Sequence, residues 1–344
     1  MAVTLFKTSK DLSKVPQEFI DAAQLEDPLF KHLPIVNKNS HEILWDQKDN
    51  YRGRMQARGM NGESPRVRKI GGRRFKMEPA VFGEHAFIPE DMLTKKSSLG
   101  TFGDIEEIQA QIDEDVDMLS KRQVRLIKYL MWTLLTTGTL NVLGPAGQLL
   151  YAETYDFQDY APASHDWDSL TTAEPIIDLQ NIREQGHGYG VTFDGKAEMF
   201  MRTLSINKLV NNQNAADING KRVGGGNTVN TLAEANRILL DANLPQIVPM
   251  DETYYDDNNT LQYYLPEGLG VLIGAREDGE SLGEYQITRN ANNPGGKPGP
   301  YQKVLQNIGP DATVPPWIKT EIGHNGGLVI WYPNSILLFT AYTP

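Results

Sequence analysis

The chain has 344 residues, of which 40% are hydrophobic and 22% are charged, and its formal net charge is -11. This length and composition are typical of a folded protein with one large domain or two medium ones. The sequence contains no cysteine, which excludes disulfides and thiolate zinc sites. No run of 18 apolar residues predicts a transmembrane helix, and the N-terminal residues do not form the apolar core of a secretory signal.

Residues 1–43 are predicted to form an N-terminal arm. Their periodicity is weak, with a short helix expected near residues 16–23 and a small apolar cluster in the stretch PLFKHLPIV. We expect the arm to bury these apolar side chains only against a partner surface.

The next segment, residues 44–90, concentrates positive charge. From Arg52 to Lys76 the chain has nine basic residues and one acid, a net charge of +8, so the remaining residues carry -19. The Gly71–Gly72 pair lies between two strand-like basic runs and predicts a hairpin turn. The basic residues of this hairpin are Arg66, Arg68, Lys69, Arg73, Arg74 and Lys76.

A long amphipathic helix is predicted over residues 104–137. Apolar residues recur at spacings of three and four, Asp104 with Glu107 resembles a capping box, and Gly138 is placed to end the helix. A helix of this length would span about 50 Å. Its first four turns carry seven acids and no base before Lys121, namely Asp104, Glu106, Glu107, Asp113, Glu114, Asp115 and Asp117.

The rest of the chain predicts an α+β fold. Two strands are expected on either side of a Gly-Pro turn at 144–145, followed by a mixed helix over 193–212 and a helix opened by the capping box of Thr231 and Glu234. Residues 246–276 predict strand, hairpin and strand, and two apolar strands are expected around 332–334. Helices and strands do not alternate as in parallel α/β proteins.

Motifs of catalysis and cofactor binding are not found. The six histidines are dispersed, and the sequence has no HExxH, no G-x-S-x-G and no Walker A pattern. Structural or surface roles are therefore favoured for the histidines. A carboxylate pair for hydrolysis stays open at this point, because the 44 acids offer many pairs and no motif singles one out.

Three interpretations of the basic hairpin remain open. It could pair with the acidic helix of a neighbouring copy, which is a head-to-tail contact. It could be an ordinary solvated hairpin. It could also bind nucleic acid through residues 65–76, with Phe75 and Tyr51 available for stacking. The opposite charges of hairpin and helix favour the first.

Several stretches resemble one known family. They are DPLFKHLPIV, RVRKIGGRRFKMEPAVFGEHAFIPEDML, QVRLIKYLMWTLLTTGTLNVLGPAGQLLYAETYDF, LPQIVPMDETYYDDNNTLQYYLPEGLGVLIGAR and LVIWYPNSILLFTAYTP. Together they are similar to the lambda-type major capsid proteins of tailed bacteriophages, the phage major capsid protein E family, which has the Hong Kong 97-type fold. The resemblance covers most of the chain as a pattern. It implies a structural protein that is not an enzyme and has no catalytic residue, cofactor or metal site.

The resemblance implies a domain order. Residues 1–43 would be the N-terminal arm and residues 44–90 the extended loop, or E-loop, which lies over a neighbour. Residues 91–190 would be the peripheral domain with a spine helix at 104–137, and residues 191–304 the axial domain. The C-terminal strands, 305–344, would return to the peripheral domain. Intersubunit contacts are expected from the six hairpin bases above and from Glu106, Glu107, Asp113, Glu114 and Asp117 of the spine helix.

The resemblance also implies partners. The protein would assemble with itself into hexamers and pentamers of an icosahedral head, in the bacterial host cytoplasm, and would end as part of the virion. A scaffolding protein, a portal and a cement protein would be further partners, with packaged double-stranded DNA at the inner face and no membrane. The short arm lacks a long charged helical segment, so a separate scaffolding protein is expected.

Overall fold

A computed structural model describes residues 14–47, 60, 73–96, 102–143, 149–162, 166–186, 189–212, 217–218, 221–222, 231–256, 258–276, 279, 281–307 and 316–343. The chain divides into two compact units. The first unit comprises Met1–Trp45, Phe75–Leu130 and Gly283–Val329. The second unit comprises Asp46–Arg74, Met131–Leu282 and Ile330–Pro344.

Helices and strands are both abundant in the described residues. The helices are α1 Val15–Glu26, α2 Leu29–His32, α3 Glu90–Lys96, α4 Phe102–Thr137, α5 Pro175–Gln185, α6 Thr203–Val210 and α7 Leu232–Asp241. The strands of the first half are β1 Ile35–Asn37, β2 Ile43–Gln47, β3 Arg73–Met77, β4 Ala80–Ile88, β5 Thr139–Leu143, β6 Leu149–Thr154 and β7 Gln158–Tyr160. They are followed by β8 Val191–Thr192, β9 Glu198–Met201, β10 Asp217–Ile218, β11 Lys221–Arg222, β12 Gln246–Pro249, β13 Thr253–Tyr255 and β14 Leu261–Tyr263. The last strands are β15 Leu269–Ile273, β16 Ala275–Arg276, β17 Gly283–Ile287, β18 Tyr301–Asn307, β19 Trp317–Ile330 and β20 Ile336–Thr340.

The first unit is built on a sheet with β19 at its centre. The strand order is β1-β17-β19-β18, and β4 also pairs with β19, antiparallel, from Ile318 opposite Ile88 to Gly326 opposite Ala80. The apolar stripe of α4 shares a core with β4 and β19, formed by Ile88, Leu93, Ile108, Ile112, Val116, Leu119, Ile318 and Ile322. The helix is therefore held in place along one face, while its other face is exposed.

The arm is part of the first unit, and the expectation that it needs a partner surface is wrong for its described residues. Ile20, Leu29 and Leu33 are fully buried within this chain. The short strand β1 pairs in parallel with β17, with Ile35 opposite Tyr285. The apolar cluster 28–36 is too short to form a core alone, but the chain's own sheet covers it.

A buried ion pair adds to this attachment. The ammonium of Lys128 on α4 binds the carboxylate of Asp27, and their side chains are only 12% and 8% exposed. The other carboxylate oxygen of Asp27 accepts a hydrogen bond from the Leu29 amide at 2.9 Å. Removal of one partner leaves the other charge buried and uncompensated.

Replacing Lys128 with methionine is expected to lower the free energy of unfolding by about 3 to 5 kcal/mol. The matched control is Arg122→Met, since Arg122 lies on the same helix as Lys128 and pairs with Glu84 of β4, but both side chains of that pair are more than half exposed. An exposed pair contributes about 0 to 1 kcal/mol. Urea unfolding of both variants measures the difference, and equal losses would contradict the role given to the buried pair.

The second unit has its own sheet and core. Its strand order is β12-β9-β15-β20-β7. The core cluster includes Trp167, Leu179, Phe193, Leu239 and Phe339, all fully buried. Residues 193–212 do not form the predicted mixed helix throughout, because Met199, Phe200 and Met201 are buried in β9 between two strands and α6 begins only at Thr203.

The predicted start signal of α4 is wrong and its predicted end signal is confirmed. The helix begins at Phe102, so Asp104 lies inside it and is not its N-cap. The C-terminal signal is confirmed, because Gly138 has φ +69° and its amide donates to Leu134 at 2.8 Å. The Thr231 cap is also confirmed, since its hydroxyl accepts from the Glu234 amide at 3.3 Å.

The boundaries of the units differ from those predicted for domains. Unit boundaries fall at 45/46, 74/75, 130/131, 282/283 and 329/330, whereas the predicted domains change at 43/44, 90/91, 190/191 and 304/305. The final strand β20 pairs with β15 and β7 inside the second unit. The names peripheral and axial domain therefore remain predictions.

Two features are absent from the described residues. No helix there combines the length and the apolar character needed to cross a membrane. No group of three or more His, Cys, Asp or Glu side chains is arranged there to hold a metal ion.

Candidate intersubunit interface

We call residues 52–76 the basic segment, and we call the strand pair β2 and β3, which joins it to the rest of the chain, its root. Ile43, Trp45 and Met77 are buried, and the rings of Trp45 and Phe75 stack with centroids 5.3 Å apart. A Cβ at Gly327 of β19 would lie 2.1 Å from the terminal methyl of Met77. The missing side chain at this position lets Met77 pack directly on β19, which fixes where the segment leaves the first unit.

Two of the predicted contact residues have partners within the chain. Arg74 donates two hydrogen bonds to the Asp46 carboxylate, at 2.7 and 3.0 Å. Lys76 pairs with Glu42 at 2.5 Å. The hydrogen bond and the charge of Asp46 raise the pKa of Arg74. These acids offset part of the positive charge, so the charge available to a neighbour must come from other residues of the segment.

The other hairpin residues divide into two groups. Arg73 begins β3 and is exposed to solvent. Arg66, Arg68 and Lys69 lie outside the described residues, as does the predicted turn at Gly71 and Gly72. Within the described residues β3 pairs with β2, an arrangement that the sequence analysis did not predict.

In the acidic half of α4, some acids are exposed to solvent and others accept hydrogen bonds from side chains of the same helix. Asp113 accepts a hydrogen bond from the Gln109 side chain at 2.8 Å, and Asp115 accepts one from Gln111 at 3.2 Å. Burial raises the pKa of Asp115. Glu114 and Asp117 are exposed. The backbone of Glu106 and Glu107 belongs to α4, but their side chains lie outside the description.

The basic residues that follow on α4 contact the first unit itself. Arg122 donates to both carboxylate oxygens of Glu84, at 2.5 and 2.8 Å. The hydrogen bond from Arg122 lowers the pKa of Glu84. The Lys121 ammonium lies 5.8 Å from the centre of the Phe19 ring. These contacts leave Glu114 and Asp117 as the described acids of α4 that are best placed to meet a positively charged neighbour.

The acids that pair with Arg74 and Lys76, namely Asp46 and Glu42, were not predicted from the sequence. Glu42 and Asp46 are four positions apart, and Arg74 and Lys76 are two positions apart. Residues at even separations share a face of a strand, so two acids could have been matched to two bases across a strand pair. The signal is weak because 28 residues lie between the end of β2 at Gln47 and Lys76, and nothing in that stretch indicates the pairing.

Comparisons with known proteins identify the fold. No family model matches the sequence, and no curated protein matches it either. The chain is similar to a solved structure named as a capsid protein of a prophage of Escherichia coli CFT073, with 14% identity, a TM-score of 0.56, and coverage of 97% of this chain and 99% of that one. It is also similar to a phage-related protein of Bordetella bronchiseptica RB50, with 11% identity, a TM-score of 0.53, and coverage of 95% and 97%.

These likenesses extend over nearly the whole of each chain. They confirm the predicted fold class, a mixed helix and sheet fold of the Hong Kong 97 type found in phage capsid proteins. The narrower lambda-type family, phage major capsid protein E, stays a prediction, because no family model matches.

Proposed function

We propose that this protein is the major shell protein of a tailed double-stranded DNA bacteriophage, and that it assembles into the hexamers and pentamers of an icosahedral head. The observation that carries the proposal is the end-to-end likeness to a chain named as a prophage capsid protein, with 97% of this chain and 99% of that chain matched.

The charge distribution supports contacts between identical copies. The segment from Arg52 to Lys76 carries a net charge of +8 in a chain of net charge -11. Ile43, Trp45 and Met77 at its described root are buried residues of the first unit, so the segment starts from a defined place. A contact between this segment and the α4 helix of the next copy is heterologous, and such contacts close into rings when the rotation allows it.

The ion pairs within the chain narrow the set of residues that we expect to make this contact. Arg74 and Lys76 pair with Asp46 and Glu42, and they stabilise the root of the segment. The contact with a neighbour is then carried by Arg66, Arg68, Lys69 and Arg73. On α4 the described acceptors are Glu114 and Asp117, with Glu106, Glu107 and Asp113 on the same helix.

Nucleic-acid binding by residues 65–76 gains no support from the described residues. Two of its bases already pair with carboxylates, which lowers the charge that phosphates could meet. We therefore keep the shell protein as the single proposal.

The proposal includes partners beyond the chain itself. A scaffolding protein, a portal and a cement protein would act with it, and packaged DNA would face the inner surface. Assembly would take place in the cytoplasm of the bacterial host, and the finished protein would be a component of the virion.

Expression of the chain in a bacterium, alone and with a scaffolding protein of a related phage, tests the proposal. Sedimentation velocity and negative-stain microscopy are expected to show large hollow particles or sheets of rings. A chain that stays monomeric at high concentration, with and without scaffold, would overturn it.

A further inference from the structure

Strand β4 lies at an edge of the sheet of the first unit. Its nine residues, Ala80–Ile88, pair with β19 on one side, and none of the described strands pairs with its other side. Natural edge strands are usually protected by prolines, lysines or bulges, which prevent a further strand from pairing with them. Within β4 there is no proline and no lysine, and its register with β19 contains no bulge. The strand therefore lacks the usual protection of an edge.

The same edge exposes apolar side chains. Val81 and Phe87 are 70% and 53% exposed. They lie on one face of the strand because they are six positions apart. The nearest ring to Phe87 on that face is Trp317 of β19, with ring centroids 6.0 Å apart. A long edge strand with exposed apolar side chains is a site for pairing with another chain.

The strand is self-complementary when two copies of it pair antiparallel. Its central residue is Glu84, and a pairing centred there is the one that uses all nine residues. Val81 of each copy then lies opposite Phe87 of the other, so two apolar pairs form on the same face. His85 lies opposite Gly83 of the other copy, which has no side chain to obstruct it. The pattern of β4 thus matches a second β4.

The charges near the centre are already balanced within each copy. Glu84 would lie opposite Glu84 of the second copy, where two carboxylates alone would repel each other. Arg122 of α4 donates to both carboxylate oxygens of Glu84, so each carboxylate is accompanied by a guanidinium of its own chain. On the neighbouring strand β19, Lys319 and Glu321 pair with each other at 3.1 Å. The edge therefore presents no uncompensated charge of one sign to its own copy.

The space beside the edge accommodates a second copy. A groove of about 470 Å³ lies between β4 and α4, and Met118 of α4, which lines it, is 46% exposed. In the paired form the two β19 strands would be three strand spacings apart, about 14 Å. Each α4 contacts its own β19 through Gln123 and His324. Packed helices need about 8 to 10 Å, so both helices fit, with the Met118 side chains between them.

We propose that β4 of one copy pairs antiparallel with β4 of a second copy across a two-fold axis, which joins two sheets into one. This contact is isologous, whereas the contacts that close a ring are heterologous. A shell needs both kinds, because contacts within rings do not join one ring to the next. The inference rests on the proposed function, and it assigns β4 to the contact between rings.

Single cysteines test the pairing, because the natural chain has none. Val81→Cys and Phe87→Cys are prepared separately, mixed in equal amounts, assembled and oxidised. Opposed residues of antiparallel strands have Cα atoms about 4.5 to 5.5 Å apart, which a disulfide spans. We expect a disulfide-linked dimer with one copy of each variant. Either variant alone should give none, since its two cysteines would lie about 20 Å apart along the strands.

Glu84→Cys provides a further check, because position 84 lies on the two-fold axis. This variant should form the linked dimer without a second variant. Electrophoresis without reductant measures the linked dimer, and mass spectrometry identifies the joined residues.

Lysine substitutions at the edge test its role in the shell. Val81→Lys with Phe87→Lys places like charges opposite each other at both apolar pairs. We expect isolated rings in place of closed shells, measured by sedimentation velocity and negative-stain microscopy. The matched control is Leu305→Lys, since Leu305 is 44% exposed on the same face of the sheet but belongs to β18. The control should form shells like the wild type, and circular dichroism checks the fold of every variant.

The outcomes separate this contact from the proposed function. Particles of the mixed cysteine variants that give no linked dimer would overturn the pairing, and so would closed shells of the double lysine variant. A strand of a different protein on this edge would also appear as absence of the linked dimer. A wild-type chain that forms neither rings nor particles contradicts the proposed function itself.

Discussion

Replacing Arg66, Arg68 and Arg73 with glutamine is expected to abolish shell assembly while the chain remains folded. These residues carry charge in the basic segment beyond the root that Arg74 and Lys76 stabilise through Asp46 and Glu42. Arg73 is exposed, so its loss should leave the core of the first unit unchanged. Light scattering measures assembly, and thermal unfolding measures the fold.

A matched control removes the same number of exposed bases elsewhere. Lys196, Arg237 and Lys297 are exposed, and their replacement with glutamine changes the net charge equally. This control should assemble like the wild type. Glu114→Arg with Asp117→Arg on α4 should block assembly as the basic-segment variant does. Normal assembly of either the basic-segment variant or the α4 variant would contradict the contact between the basic segment and α4.

The second large effect concerns acid stability and centres on His324. This side chain is fully buried in β19, with Nδ1 2.8 Å from the amide nitrogen of Gln123 on α4 and Nε2 2.8 Å from the hydroxyl of Tyr285 on β17. The Phe82 ring lies 5.2 Å away. If the Gln123 amide donates, Nδ1 accepts and Nε2 carries the proton towards Tyr285. Burial lowers the pKa of His324 to about 3, so the neutral ring is the form that the fold requires.

The sign of the pH dependence follows from this shift. The unfolded chain binds a proton at His324 near pH 6.5, whereas the folded chain does not until about pH 3. Stability is therefore complete above about pH 6.5 and falls as the pH drops towards 3. At about 1.4 kcal/mol per pH unit, the loss between pH 7 and pH 4.5 is about 3 kcal/mol.

His324→Gln is expected to remove this share of the acid sensitivity, because glutamine binds no proton in that range. Urea unfolding of the unassembled protein at several pH values measures the slope. The control is His85→Gln on β4, an exposed histidine whose loss should leave the slope near that of the wild type. A His324→Gln variant that keeps the full wild-type slope would show that other groups cause the acid sensitivity.

The sequence predicted the elements with strong local signals. The apolar spacing and Gly138 located α4 to within two residues at its start, and the Thr231 cap marked α7. These features depend on neighbours along the chain, where hydrophobic period and capping chemistry act directly. The Asn-rich turn between β13 and β14 was predictable for the same reason.

Features that depend on distant residues could not be predicted in the same way. Met199 to Met201 read as part of a helix but form a strand, because two neighbouring strands bury them. The cis partners of Arg74 and Lys76 and the buried group around His324 join residues far apart in the chain. The charge imbalance of the basic segment was visible in the sequence, but the partner proposed for it on another copy depends on the assembly.

Cryo-electron microscopy of particles formed by the wild-type chain tests the central claim most directly. The account predicts rings of six and five copies in a closed shell, with residues 61–73 of each copy against the acidic half of α4 of the next. Particles in which this segment contacts only its own chain would contradict the proposed contact. Persistent monomers, or aggregates without six-fold or five-fold rings, would contradict the shell function itself.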